Sequence, residues 1–267
     1  MNGGGRGGFG QQGMGMRFGP PSTPPIMIRL MIVNAVIFLL VVLFPVIDEM
    51  AAVKPVLVWR HGYFWQPFTY MWLHASIGHI AINLFVLWMF GSELALEWGP
   101  KRFLQYYLVC GLGAGLLICT WPYLLVGMGV STYLDVPTVG ASGAVYGIVL
   151  AYSLTWPDRT VMLIFPPVAF RAIWVLPAMF VFTLVMGGGN VSHVGHLGGV
   201  IAGWIALRRS GVTGGLGAKK KEPLRIRWRR SRFGRSRKRR SRTRSGLRVV
   251  RPAEPSAPRD EDEHNAQ

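Results

Sequence analysis

Apolar residues gather in six long stretches, each closed by charged residues, proline or glycine. The first, 26–47, is interrupted by little more than Arg29 near its start and Asn34. At about 1.5 Å per helical residue it is long enough to cross roughly 30 Å of hydrocarbon. A signal peptide would be the alternative, but no small-x-small cleavage site follows at once and further apolar stretches come later, so it reads as a first span. Residues 48–76 mix Asp48, Glu49, Lys54, Arg60 and His61 with Trp59, Tyr63, Trp65, Tyr70 and Trp72, the composition of a membrane–water interface. The second stretch, about 77–97, carries His79 and Asn83 and follows His74; the third is about 103–121. The fourth opens at Gly140 and ends near Trp156, where Pro157-Asp158-Arg159 breaks it. The fifth lies within 168–186, after a proline-interrupted segment that the pattern does not assign, and the sixth is about 192–207. Only helices and closed barrels satisfy their backbone groups in lipid. The expectation is therefore an all-α membrane protein, with six transmembrane helices in one bundle over 26–208.

Composition agrees with that picture and adds the tails. Apolar residues make up 51% of the 267 and charged residues only 15%, which points to a membrane protein rather than a soluble one. Residues 1–25 are Gly-, Met- and Pro-rich without apolar periodicity and read as a disordered N-terminal tail. The net charge of +17 comes largely from the other end, because 219–251 holds four lysines and thirteen arginines. Residues 209–267 read as a disordered basic tail with an acidic end. Cys110 and Cys119 are nine positions apart on one apolar stretch, about 13 Å along a helix, too far apart to pair.

The basic residues orient the bundle. Arg6, Arg17 and Arg29, then Lys101 and Arg102, then Arg159 and Arg171, and finally the basic tail fall on one side if both termini are cytoplasmic. Stretches two, four and six then run from outside to inside. His79 with Asn83, Ser142, and His193 with His196 each lie within about two turns of an outer end, so three polar groups share one depth. Polar or ionisable groups inside a membrane are functional candidates, since they are costly when they face lipid.

The chemistry that fits them is acyl transfer. Gly140-Ala141-Ser142-Gly143-Ala144-Val145-Tyr146-Gly147 sets a serine among glycines, and glycines admit a close backbone. On a helix Ser142 and Tyr146 share a face, while Gly143 and Gly147 form a groove that the Gly199-x-x-x-Gly203 face can fill. That approach brings His196 to Ser142 as its base. Tyr146 can stack on the imidazole and hold its plane. No carboxylate is placed to complete a triad, so a dyad is expected. The Ser142 backbone N–H, His79 and Asn83 are the expected oxyanion donors, the last two on one face at i and i+4.

The set His79-x-x-x-Asn83, Gly140-x-Ser142-Gly143 with Tyr146, and His196-x-x-Gly199-x-x-x-Gly203 resembles the rhomboid family of intramembrane serine proteases over roughly 26–208. The resemblance implies a six-helix core and cleavage of membrane-anchored proteins within or near their transmembrane segment. It also implies water reaching the site from the outer face. Two positions depart from the family's pattern. Trp65-Gln66 stands where a Trp-Arg pair is usual, and Ala95, flanked by Glu93 and Glu97, where a glutamate is usual. Both concern loop structure and leave the dyad intact.

Two other classes stay open at this level. One is a metal-dependent membrane protein ligated by His74, His79, His193 and His196, which leaves Ser142 without a purpose and lacks a His-Glu-x-x-His string. The other is an inactive rhomboid-like protein that binds transmembrane helices without cutting them, although such a protein would be expected to lack the serine or the histidine. No cofactor or metal is expected for the protease reading. The expected location is a bacterial plasma (inner) membrane, with both termini cytoplasmic and the site opening to the outer face.

The basic stretch 219–251 is expected to lie on anionic headgroups, each basic residue near the surface contributing about 1 kcal/mol, with nucleic acid ranked below lipid as its partner. A peptide of residues 219–251 should therefore sediment with vesicles containing anionic lipid and remain free with neutral ones. Equal binding to both would overturn the lipid reading.

Overall fold

Every one of the six apolar stretches contains a helix. The computed structural model describes residues 19–162, 168–187 and 192–209, all within one unit of the chain, Met1–Ala218. Most of the expected N-terminal tail and the whole basic stretch 219–251 lie outside the described residues. Helix α1, Pro25–Leu43, starts on a proline, whose fixed φ suits a first helical position. Three short helices follow in the aromatic segment: α2, Val46–Ala51, α3, Pro55–His61, and α4, Gln66–Thr69.

The second stretch runs as one piece. Ser76 accepts the His79 N–H at 3.1 Å and caps α5, Ile77–Val86. A π-helical segment, Leu87–Gly91, leads into α6, Ser92–Trp98. Gly99 at φ 82° ends α6, and Pro100 opens α7, Pro100–Gly127. Helices α8, Ser142–Thr155, α9, Val175–Met186, and α10, His193–Arg209, complete the chain as described. Three helical runs, Pro25–Leu43, Ile77–Trp98 and Pro100–Gly127, are long and apolar enough to cross a membrane, and Ser142–Thr155 and Ala172–Met186 are shorter apolar helices. The outer surfaces of α1 and α9 expose Ile32, Leu39, Phe182 and Val185 among others. An apolar exterior of this kind belongs in lipid, and the chain is an integral membrane protein.

Several boundaries differ from the sequence reading: the first helix stops at Leu43 rather than 47, the third runs on to Gly127 rather than about 121, and two differences bear on the architecture. The fourth stretch is not helical from Gly140, because that residue sits at φ 129°, which an L side chain rarely adopts; the helix begins at Ser142. The fifth is not helical from 168. Ala169–Arg171 pairs antiparallel with Thr160–Met162, Val161 opposite Phe170, so the architecture is helical with one short β-ribbon among the described residues. Pro157 cannot continue α8, and the alternating exposure of both strands suits a ribbon at the surface.

The core is a three-helix contact of α7, α8 and α10, and it is made of small residues. A Cβ on Gly199 would overlap the Gly143 carbonyl, one on Gly147 would overlap Cys110, and one on Gly198 would lie 2.9 Å from the Ala114 Cα. With backbones this close, buried tyrosines reach carbonyls that side chains would otherwise cover. Tyr70 Oη donates to the Gly111 carbonyl and Tyr106 Oη to the Gly147 carbonyl, both at 2.9 Å. At the far end Arg159, just after α8, pairs with Glu93 of α6 and lies 5.1 Å over the Trp156 ring. The start of α6, late in the run that α5 opens, therefore lies beside the C-terminal end of α8, which leaves the starts of α5 and α8 together at the opposite end.

Gly199→Ala should lower stability by about 1–3 kcal/mol through forced separation of α8 and α10. Gly127→Ala, where a Cβ would meet nothing within 4 Å, should change it by no more than about 0.5 kcal/mol. Thermal unfolding in detergent micelles checks both, and equal shifts would contradict the contact.

Candidate active site

The starts of three helices converge on one point. Ser142 is the first residue of α8, so its N–H and those of Gly143 and Ala144 precede the first intrahelical bond, made by Val145 to the Ala141 carbonyl at 3.0 Å. His196 lies in the first turn of α10, whose entry is fixed by Ser192: its Oγ accepts the Gly195 N–H at 3.2 Å and its carbonyl the His196 N–H at 3.2 Å. With α8 and α10 in contact at Gly143 and Gly199, the two side chains meet. His196 Nε2 is 3.0 Å from Ser142 Oγ. For the hydroxyl to donate, Nε2 must be the unprotonated nitrogen, which puts the neutral ring's proton on Nδ1.

Tyr146, one turn along α8, stacks on the His196 ring with centroids 4.1 Å apart and planes 12° from parallel. Its hydroxyl is held in turn by α9, through the Met179 carbonyl at 3.0 Å and the Thr183 hydroxyl at 2.9 Å. Phe180 of α9 packs edge-on to Tyr146 at 4.8 Å. An imidazole held between a serine hydroxyl and a stacked ring is constrained in both position and plane.

On the other side of the serine stands His79. A Cβ on Gly140 would lie 2.7 and 2.8 Å from Cε1 and Nε2 of His79, and 3.8 Å from Ser142 Oγ, so only a glycine lets that imidazole edge approach. His79 Nδ1 accepts the Ala75 N–H at 3.4 Å. In the neutral ring the proton then sits on Nε2, beside Gly140. Asn83 is buried one turn further along α5, and one of its amide protons goes to the His79 carbonyl at 2.9 Å. The other amide proton is left for a neighbour. An N–H on His79 and the unspent N–H groups of the α8 start can bind a negative oxygen formed near Ser142.

His193, at the start of α10, lies edge-on to His196 with centroids 6.1 Å apart. His74 packs edge-on behind His79 at 5.2 Å and is only 3% exposed; burial pushes its imidazole down to about 4. Among the described residues no group of three or more His, Cys, Asp or Glu is arranged to hold a metal ion.

Several contributors were not picked out from the sequence. The third helix of the core, α7, sets Gly113 against α10, Ala114 against both α8 and α10, and Gly115 against Pro67 and Tyr70, and that small-residue run was visible. Thr183 and Phe180 carry no signal, since each is an ordinary residue of an apolar stretch.

A family model described as a Rhomboid domain matches residues 61–209. Over 134 residues the chain is 30% identical to the mitochondrial presenilin-associated rhomboid-like protein of Bos taurus, covering 49% of this chain and 34% of that protein. It is 29% identical over 138 residues to the mitochondrial rhomboid protein 1 of Saccharomyces cerevisiae, covering 49% and 38%. Against the rhomboid protease GluP of Bacillus subtilis the figures are 29% over 154 residues, 57% and 27%. The chain thus spans about a third of the length of the curated relatives it matches.

If the stacked ring sets the plane of His196, Tyr146→Ala should slow covalent labelling of Ser142 by a fluorophosphonate probe about two- to tenfold, the 0.5–1.5 kcal/mol usual for an aromatic pair. Tyr146→Phe keeps the ring and should label at close to the original rate. Equal rates for all three proteins would remove Tyr146 from the site.

Proposed function

The chain belongs to the rhomboid family, and on that premise we propose that it is an intramembrane serine endopeptidase acting through a Ser142–His196 dyad. The observation that carries the reading is the 3.0 Å contact between His196 Nε2 and Ser142 Oγ, with Tyr146 stacked on the same imidazole. In the reaction Ser142 Oγ attacks the scissile carbonyl carbon as its proton passes to His196 Nε2. The oxyanion of the tetrahedral intermediate is met by the Ser142 N–H, His79 Nε2 and Asn83 Nδ2. His196 then gives its proton to the departing amine, and water releases the acyl group from Ser142 by the same steps in reverse order.

The substrate is a membrane-spanning protein whose helix is loosened by Gly, Ala, Ser or Pro near the outer face. A helical peptide bond is internally hydrogen-bonded and must unwind to meet a nucleophile. Six helices cross the membrane, with the shared start of α5, α8 and α10 toward the outer face. The basic residues at the other end stay cytoplasmic in a bacterial plasma membrane. The basic stretch 219–251 lies on anionic headgroups of that face.

A mutation series in proteoliposomes with a transmembrane substrate tests the mechanism, each variant first matched for membrane level. Ser142→Ala and His196→Ala should abolish cleavage, losing on the order of 10⁴- to 10⁶-fold. His79→Ala and Asn83→Ala should lose about 10²- to 10³-fold at most, because the Ser142 N–H remains. His193→Ala should keep most activity, and chelators should have no effect. An active Ser142→Ala protein would sink the protease reading, and joint failure of the histidine variants with chelator inhibition would favour a metal instead.

A further inference from the structure

Gln66 is the first residue of the four-residue helix α4, has 0% exposure, and spends both ends of its amide on main chain twelve to sixteen residues away. Its Oε1 accepts the Lys54 N–H at 3.1 Å, and its Nε2 donates to the Met50 carbonyl at 3.3 Å. Two neighbours, Trp65 just before α4 and Thr69 at its end, reach the same stretch: Trp65 Nε1 donates to the Met50 carbonyl at 3.0 Å, and Thr69 Oγ1 to the Ala51 carbonyl at 2.8 Å. A buried amide that loses a partner costs more than a surface one, so Gln66 holds residues 50–54 with little freedom.

What that stretch does next reaches the serine. Val53, fully buried, forms a two-bond bridge with Thr138: Val53 N–H to the Thr138 carbonyl at 3.0 Å, and Thr138 N–H to the Val53 carbonyl at 2.9 Å. Two residues later Gly140 donates its N–H to the Tyr70 carbonyl at 3.0 Å. Tyr70 directly follows α4. The turn before Ser142 is therefore held from two sides by one short segment, directly by Tyr70 and indirectly by Gln66 through residues 50–54 and Val53. The same turn faces His79 across Gly140.

We propose that Gln66 is a positioning residue for the reaction assigned above: by fixing residues 50–54 and the Val53–Thr138 bridge, it sets the distance from the Ser142 N–H to His79. The proposal rests on the protease reading for its kinetic consequence but not for its structural one. Misplacing a reacting group by about 1 Å can cost on the order of 10²-fold in rate, while a substrate helix docked elsewhere would not notice the change.

The test uses the full-length protein carrying Gln66→Met, which keeps the volume and removes both hydrogen bonds. Hydrogen–deuterium exchange should quicken at residues 50–54 and 136–141, with α7, α8 beyond its first turn and α10 unchanged. For a transmembrane substrate in proteoliposomes, kcat should fall about 10- to 100-fold with KM within about twofold. Exchange at 136–141 equal to that of the original protein, or a kcat that does not fall, would overturn the proposal. Should Gln66→Met not accumulate in membranes, Thr69→Val removes the neighbouring tie to Ala51 and must show the same two signs in weaker form; otherwise the proposal fails. If the original protein cleaves nothing, the protease reading fails, and the exchange experiment alone still decides whether Gln66 holds the Ser142 turn.

Discussion

The structure depends on how closely α8 can approach α10. At Gly143 and Gly199 there is no room for a Cβ, and the separation of the two helix axes at that point decides whether Ser142 and His196 touch. In lipid this contact has no hydrophobic drive behind it, because the tails outside are as apolar as the helices; close van der Waals packing and hydrogen bonds must do the work. Glycine and alanine on α7 complete the fit from a third side. The tyrosine hydroxyls of Tyr70 and Tyr106 close it by bonding Gly111 and Gly147 carbonyls. The packing contact is also the contact of the candidate site, so a change that loosens the bundle also separates Ser142 from His196.

Around that contact the helix starts supply what a charged intermediate needs. Beginning α8 at Ser142 rather than at Gly140 leaves the first N–H groups of the helix unspent beside the serine hydroxyl. Gly140 is required twice over, by its φ of 129° and by the His79 ring that occupies the space of a side chain. These two demands fall on a loop, and loops in a membrane protein have little regular structure to hold them. The ties from α4 and Tyr70 take that role.

Much of this was legible in the sequence, and the limits have physical causes. Apolar length located a helix in each of the six expected stretches, because a segment must be long and apolar to lie in lipid. The spacing of Ser142 with Tyr146 predicted their shared face, since α-helical geometry fixes those directions; Gly199 meets Gly143 as expected, whereas Gly203 packs on Tyr106 and Cys110 of α7 rather than on α8. The helix start at Ser142 was missed because an apolar stretch records burial and not backbone angle. The ribbon at 160–171 was missed for a similar reason: two three-residue strands joined by a proline-containing segment give too short an alternation to stand out. Gln66 was noticed only as a departure at Trp65-Gln66. Its partners are main-chain groups of Met50 and Lys54, and any residue types there would offer the same N–H and carbonyl.

In the proposed mechanism, a dyad without a carboxylate shifts the burden of the reaction. Among the described residues, Nδ1 of His196 is buried with no hydrogen-bond partner, so nothing charged steadies the imidazolium that forms when Ser142 gives up its proton. The stacked Tyr146 ring constrains the plane of the base, and a ring face attracts a cation more weakly than a carboxylate does. In that proposal the tetrahedral intermediate would be held chiefly from the oxyanion side, by donors that are in place before the substrate arrives. That makes the rate more sensitive to the geometry of the turn at Gly140 than it would be in a triad. It also explains physically why so many main-chain ties converge on a loop that carries no reacting group of its own.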